Sequence, residues 1–222
     1  MRTSTDPLAP QDYETLPVRT TRRLARRQRL FDEGERVAVL TRIERGRVLL
    51  SQTMPDGRRH IVDIAGPGDL FGHENPEHLH VYSAETLTAV QVALIDVDVA
   101  GSPAGVRAIG HDLRRKNDRL RAHGRHLARR RGIERVAAFV LSLVDAFEAP
   151  ACVEGLMCAV PLTRQEIAEY LGLTQETVSR AFSELDRRGL IENTGRGRVA
   201  LREPSELWRV ALMAEAEPEA VV

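Results

Sequence analysis

Cysteine is nearly absent from this chain. Two, Cys152 and Cys158, stand among 222 residues, which argues against a disulfide scaffold. An excess of one charge is also absent: 32 Lys and Arg balance 32 Asp and Glu. Any basic face must therefore be local, because total charge supplies none. No apolar run approaches the roughly 20 residues of a membrane helix. The first residues lack the apolar core of a signal peptide, so a cytoplasmic location with no membrane partner is expected. What remains is ordinary. The chain is 42% hydrophobic and 29% charged, as soluble globular proteins are, and is long enough for two small domains.

The most informative stretch is Leu162–Ile191. Thr163 with Glu166 three residues on is a capping box, so a helix should start there. Ile167, Ala168 and Leu171 give it an apolar face. Gly172 breaks it in a left-handed conformation cheap only for glycine. Thr174 can cap a second helix, in which Val178, Phe182 and Leu185 pack back on the first. Small Ala168 permits a steep crossing. This is the helix-turn-helix pattern, whose second helix enters the DNA major groove. Gln175, Glu176, Ser179 and Arg180 share the face away from Phe182. Arginine can fork onto guanine O6 and N7, and glutamate can accept from cytosine N4. Otherwise the stretch is a helical hairpin with a solvated face.

The string Arg164-Gln-Glu-Ile-Ala-Glu-Tyr-Leu-Gly172-Leu-Thr, then Glu176-Thr-Val-Ser179-Arg180, resembles the C-terminal half of the Crp/Fnr superfamily of transcription regulators. The Glu-x-x-Ser-Arg form is more similar to the Fnr and FixK branches than to Crp. The resemblance implies TTGAT-type half-sites in a palindrome, read by Glu176, Ser179 and Arg180.

In chain order, residues 1–17 read as a loose arm. From Val18 to about residue 105 come short strands with glycine turns, including Val48–Gln52, the Pro55-Asp56-Gly57 turn, His60–Ile64, Tyr82–Thr86 and Val90–Ile95. Such spacing means an all-β sandwich or barrel. Phe31-Asp-Glu-Gly-Glu35, Gly66-Pro-Gly-Asp-Leu-Phe-Gly72 and Ser83-Ala-Glu are similar to the cyclic-nucleotide-binding jelly roll of Crp/Fnr proteins. The expected fold class is therefore α+β: an N-terminal antiparallel β-roll, a long dimerisation helix and a C-terminal winged helix-turn-helix.

In residues 106–131, Ile109, Leu113, Leu120 and Leu127 run along one helix, the last three one heptad apart. That spacing suits a seam between two subunits, or a helix lying on its own barrel. The resemblance favours the seam. Lys116 and His123 interrupt its neighbouring position, and Gly124 would permit close approach. The dense arginines from Arg107 to Arg135 read as solvated faces. Gly132 is a candidate hinge opening a domain over residues 132–210. Glu134–Phe147 forms an amphipathic helix, and Ala149–Pro161 a connector. Leu190-Ile191 and Val199-Ala-Leu201 flank a wing or plain turn, from which Arg196 and Arg198 would reach phosphates. Thr163, Arg164 and Thr174 are further phosphate candidates. Trp208 should pack the tail, and residues 211–222 should be disordered.

The resemblance also frames what the roll senses. Crp has an acid directly after Phe-x-Gly and an Arg-Ser pair on the next strand. Here His73 follows Gly72, and Tyr82 precedes Ser83. Tyrosine cannot replace a bidentate guanidinium, so no cAMP binding is expected. An Fnr-type iron–sulfur cluster needs four cysteines in one subunit, so no cofactor is expected. Cys152 and Cys158 precede the helix-turn-helix, where they could be redox-active or inert. His78-x-His80 with Glu85 is the weak metal candidate, since a cupin-like roll binds metal through such a set. The expectation is a non-enzymatic regulator, homodimeric on double-stranded DNA, with RNA polymerase a further partner if it activates. A regulator gated by a ligand or metal in the roll, or a cupin-like metalloprotein, stays open.

Overall fold

The computed structural model describes residues 16–212 apart from 76, 130, 147–156 and 196. The chain divides into two compact units, residues 1–120 and 121–222, and a long helix runs from the first into the second.

The first unit is a roll of two four-stranded antiparallel sheets. Its strands are β1 (Thr20–Leu24), β2 (Arg29–Phe31), β3 (Leu40–Arg45), β4 (Val48–Thr53), β5 (Arg59–Ala65), β6 (Leu70–Phe71), β7 (Ser83–Thr86) and β8 (Val90–Ile95). One sheet has the order β1-β8-β3-β6 and the other β2-β7-β4-β5. Alternation puts Leu24, Ile43, Val90 and Val92 of the first against Phe31, Val48, Leu50 and Ala84 of the second, in one buried core. The Pro55–Gly57 turn reverses β4 into β5, with the Gly57 N–H donating to the Met54 carbonyl at 2.8 Å and φ at 82°.

The other side of the first sheet is covered by α1 (Pro103–Leu127). Leu16, Leu40, Leu70, Ile95 and Ala108 form a second small core there. Ile109 packs against this core and is therefore not on the open seam the spacing suggested. The open stripe instead carries Val106, Leu113 and Leu120. Leu127 is half-buried, within 4.0 Å of where a side chain on Gly172 would begin.

The second unit contains the end of α1, then α2 (Gly132–Ala146), β9 (Met157–Ala159), α3 (Arg164–Leu171), α4 (Gln175–Arg187), β10 (Ile191–Gly195), β11 (Arg198–Leu201) and α5 (Pro204–Leu212). β10, β11 and β9 make a three-stranded sheet, so the wing is more than a plain turn. Val136, Phe139, Val140 and Leu143 of α2 are buried, as are Leu207, Val210 and Ala211 of α5. Trp208 faces outward at 44% exposure: α5's apolar stripe falls on its neighbours, which corrects its expected packing role. Gly132 has a steric task besides joining α1 to α2. A Cβ there would lie 2.6 Å from Thr177 Cγ2, so any other residue would have to displace that side chain where α2 starts beside α4. The expected arm and tail lie almost wholly outside the described residues.

Candidate nucleic-acid interface

The helix-turn-helix is built by local rules. Thr163 caps α3: its Oγ1 accepts from the Glu166 N–H at 3.1 Å, and the Thr163 N–H donates to the Glu166 carboxylate at 2.7 Å. Such a cap contributes about 0.5–2 kcal/mol. Gly172 ends α3 at φ 61°, ψ 42°, donating its N–H to the Ala168 carbonyl. Thr174 caps α4 by accepting from the Thr177 N–H at 3.2 Å. Val178, Ala181, Phe182 and Leu185 are the buried face of α4. Gln175, Glu176 and Arg180 are exposed on the other side, and Ser179 is half-exposed beside them. Glu176 and Arg180 are ion-paired one turn apart, with side chains 71% and 78% exposed. So exposed a pair holds its partners loosely and is cheaply opened.

A cleft of about 210 Å³ lies between the start of α3 and the wing, and its lining brings together Thr163, Arg164, Arg198 and Asn193. Arg198, 34 positions on from Arg164, thus joins Thr163 and Arg164 at a helix N-terminus, a place suited to an anion. Arg164 lies with its guanidinium 3.4 Å from the Phe182 ring centroid, and its partial burial pushes its pKa below the ordinary arginine value. Neither Arg164 nor Arg198 has an acidic partner among the described residues. Thr174 stands apart from this cleft, at the start of α4. Arg196 lies outside the described residues.

Positioning residues came from where solvated charge was expected. Arg135 of α2 donates from Nε to the Arg129 carbonyl at 2.9 Å and from Nη1 to the Leu171 carbonyl at 3.1 Å. It thereby ties the segment after α1 to the last turn of α3. Arg129 donates to the Ala211 carbonyl at 2.7 Å. In the first unit, Arg119 pairs with Asp63 at 2.9 Å and with Asp69 at 3.0 Å, and Arg115 pairs with Asp69. Arg107, Arg114, Arg121 and Arg125 stay exposed, as expected of solvated faces, but part of the arginine run is structural. Its signal in sequence was faint, because the acids that engage it lie some 50 residues away.

The interior of the roll holds a polar network that no spacing in the sequence suggests. Lys116 is 2.8 Å from Glu74 and 2.8 Å from Asp112, and His73 Nε2 lies 2.7 Å from Asp112. Asp112 also accepts from the Leu70 N–H at 2.9 Å. Glu74 accepts from the Gly72 N–H at 2.7 Å and from the Tyr82 hydroxyl. Burial alone would raise the pKa of both carboxyls. The Lys116 charge reverses this at Glu74, and the hydrogen bond from His73, then the Lys116 charge, reverses it at Asp112, so both lie below the usual range. Burial, then the Glu74 charge, pushes the Tyr82 phenol far up. Lys116 is therefore no seam residue; its own acids draw it inward. His123 likewise turns in, its ring 4.1 Å from that of Tyr170. The acid missing directly after Gly72 stands one place further on, as Glu74, already engaged.

The weak metal set does not assemble. His80 is buried and stacks on Phe31 at 3.6 Å and 7°, Glu85 pairs with Arg27 at 3.1 Å, and His78 is exposed on left-handed backbone at φ 55°. Among the described residues no three His, Cys, Asp or Glu side chains are grouped to hold a metal ion. Cys158 lies on β9 opposite Val199, and Cys152 lies outside the described residues. No helix among the described residues is long and apolar enough to cross a membrane.

A capped helix pair with an outward polar face, a wing beside it and an eight-stranded roll earlier in the chain define a winged helix-turn-helix DNA-binding regulator. Comparison with known proteins agrees. A cyclic nucleotide-binding domain model matches residues 21–100, and a Crp-like helix-turn-helix domain model matches residues 134–210. The nitrogen fixation regulation protein FixK of Bradyrhizobium diazoefficiens is 35% identical over 82% of this chain and 78% of its own. A CRP-like cAMP-activated global transcriptional regulator of Mycobacterium tuberculosis is 32% identical over 82% of this chain and 84% of its own. The structure of FixK2 from Bradyrhizobium japonicum superposes with a TM-score of 0.73 at 30% identity, covering 86% of this chain and 96% of that one. The chain belongs to the Crp/Fnr family of DNA-binding transcription regulators.

Proposed function

We propose that the protein binds as a homodimer to a TTGAT-N4-ATCAA-like palindrome, without cAMP and without an iron–sulfur cluster. Two α4 helices, about 34 Å apart, would enter successive major grooves. Arg180 forks onto guanine, Glu176 accepts from cytosine, and Gln175 and Ser179 complete the reading face. Thr163, Arg164, Arg198, Arg196 and Thr174 hold phosphates. The carrying observation is that Glu176 and Arg180 stand fully outward on a helix whose reverse face is buried.

The cAMP-activated relative keeps the nucleotide question open on similarity alone, so it turns on the roll's interior. Tyr82 stands where the family's phosphate arginine would be, and it is spent on Glu74; Glu74 is spent on Lys116. A cyclic phosphate meets no free cation in that network, and a ribose meets no free acid. RNA polymerase is the further partner if the protein activates, and the cytoplasm, where the DNA is, is the place of action.

Fluorescence anisotropy with this duplex and a scrambled control, at fixed salt and without ligand, tests the reading. Preference for the palindrome supports it. Equal binding to both duplexes refutes the half-site. Preference that appears only with cAMP refutes ligand independence. A second titration after peroxide treatment tests Cys152 and Cys158.

A further inference from the structure

The outward face of α1 carries a seam, and one residue in it decides how two copies meet. Val106, Leu113 and Leu120 stand one heptad apart at 59%, 51% and 56% exposure. Between them fall Gly110, Asn117 and Gly124, also a heptad apart and exposed. Nothing lies within 4 Å of where a side chain would leave Gly110 or Gly124. The reverse side of the helix is committed to its own chain through Ala108, Asp112 and Lys116. Apolar residues at one seam position and two glycines and an amide at the other make a surface that a second helix of the same repeat fits. Here that second helix is another copy of α1.

We propose that Asn117 is the register lock of this pairing: it holds two copies of α1 parallel and in step by hydrogen-bonding its own counterpart. This rests on the homodimer reading above. In a parallel pair in step, each seam residue meets itself, so one Asn117 carbonyl accepts from the other's NH2. In an antiparallel or half-heptad-slipped pair the two seam positions mix. Asn117 would then be buried against Leu113 or Leu120 with its amide unpaired, which is costly. Asn117 has no hydrogen-bond partner in its own chain among the described residues. Gly110 and Gly124 on either side let the backbones approach closely enough for a short amide to reach. Lys116, on the flank of the seam, is held by Glu74 and Asp112, so it does not repel Arg121 across the pair. A parallel pair also sends both chains into their second unit from the same end, as a palindrome requires.

The test uses the full chain carrying Cys152→Ser and Cys158→Ser, with either Asn117→Cys or Asp118→Cys added. A disulfide needs Cβ atoms about 3.5–4.5 Å apart. Mild oxidation should give a covalent dimer with Asn117→Cys and little with Asp118→Cys. Sedimentation equilibrium on Asn117→Leu should show a dissociation constant lowered by about tenfold, because a buried amide gives way to leucine. In-step cross-linking through Leu113→Cys should nevertheless fall in the Asn117→Leu background, as other registers fill. Equal cross-linking at 117 and 118, or unchanged Leu113→Cys cross-linking with Asn117→Leu, overturns the lock and leaves the dimer standing. A parent chain that sediments as a monomer at every concentration overturns the homodimer reading, and the lock with it.

Discussion

The two units treat the same residue types in opposite ways. In the second, Glu176 and Arg180 pair on the surface at 71% and 78% exposure. In the first, Lys116 and Asp112 pair at 13% and 0%. The exposed pair is screened by water and held loosely, so either partner can leave the other at little cost. The buried network is deprived of water, so each group must be satisfied internally. The outward face of α4 keeps its polar groups available, whereas Glu74, Asp112 and Lys116 are used to join α1 to the roll.

The sharpest way to break this contrast is Asp112→Ala. It leaves Lys116 and the Leu70 N–H short of a partner inside the roll. Stability of the full chain should fall by about 3–5 kcal/mol in urea denaturation, while the corresponding Glu176→Ala change costs under about 1 kcal/mol. Equal losses would show that water reaches the network. The same network has a pH signature. Glu74 and Asp112 have pKa values lowered by folding, so their stabilisation is present above the unfolded values near 4 and is lost as pH falls through the folded ones. Acid titration monitored by circular dichroism should show this loss below about pH 4, and Lys116→Met should make it shallower.

Next in size is Arg180→Ala, which should cost about 1–3 kcal/mol on the palindrome and flatten discrimination at one guanine. Uniform weakening on all duplexes would make Arg180 a phosphate contact. Gly172→Ala places a side chain at positive φ and should lower stability by about 1 kcal/mol in thermal melts, with base preference unchanged. The smallest effect belongs to Arg198→Ala. It should weaken all duplexes alike and reduce the salt slope by about one. A change in base preference would move Arg198 from the phosphates to the bases.

Legibility in the sequence followed the range of the interaction. Thr163 with Glu166, Gly172 and Thr174 could be placed because caps and turns are decided within four residues of chain. β8 was read at Val90–Ile95, and the Pro55–Gly57 turn joined the strands it was expected to join. The outward stripe of α1 was half legible. Leu113 and Leu120 are outward, but Ile109 packs on Leu40, Leu70 and Ile95, because helical spacing fixes a face only to within a residue. Arg115, Arg119, Arg129 and Arg135 are engaged rather than solvated, and His80, at ligand spacing from Glu85, has its ring on Phe31.

The order of residues alone was enough for the fold class, the helix-turn-helix, its outward face and the family, since each rests on short-range periodicity, capping and glycine geometry. Folding was needed to show that Glu74, Lys116, Asp112, His73 and Tyr82 form one network, and that Thr163, Arg164 and Arg198 line one cleft. Lys116 is 42 positions from Glu74, and Arg198 is 34 from Arg164. Which acid a buried cation meets depends on how two sheets and a helix close on each other, and no local pattern along the chain encodes that distance.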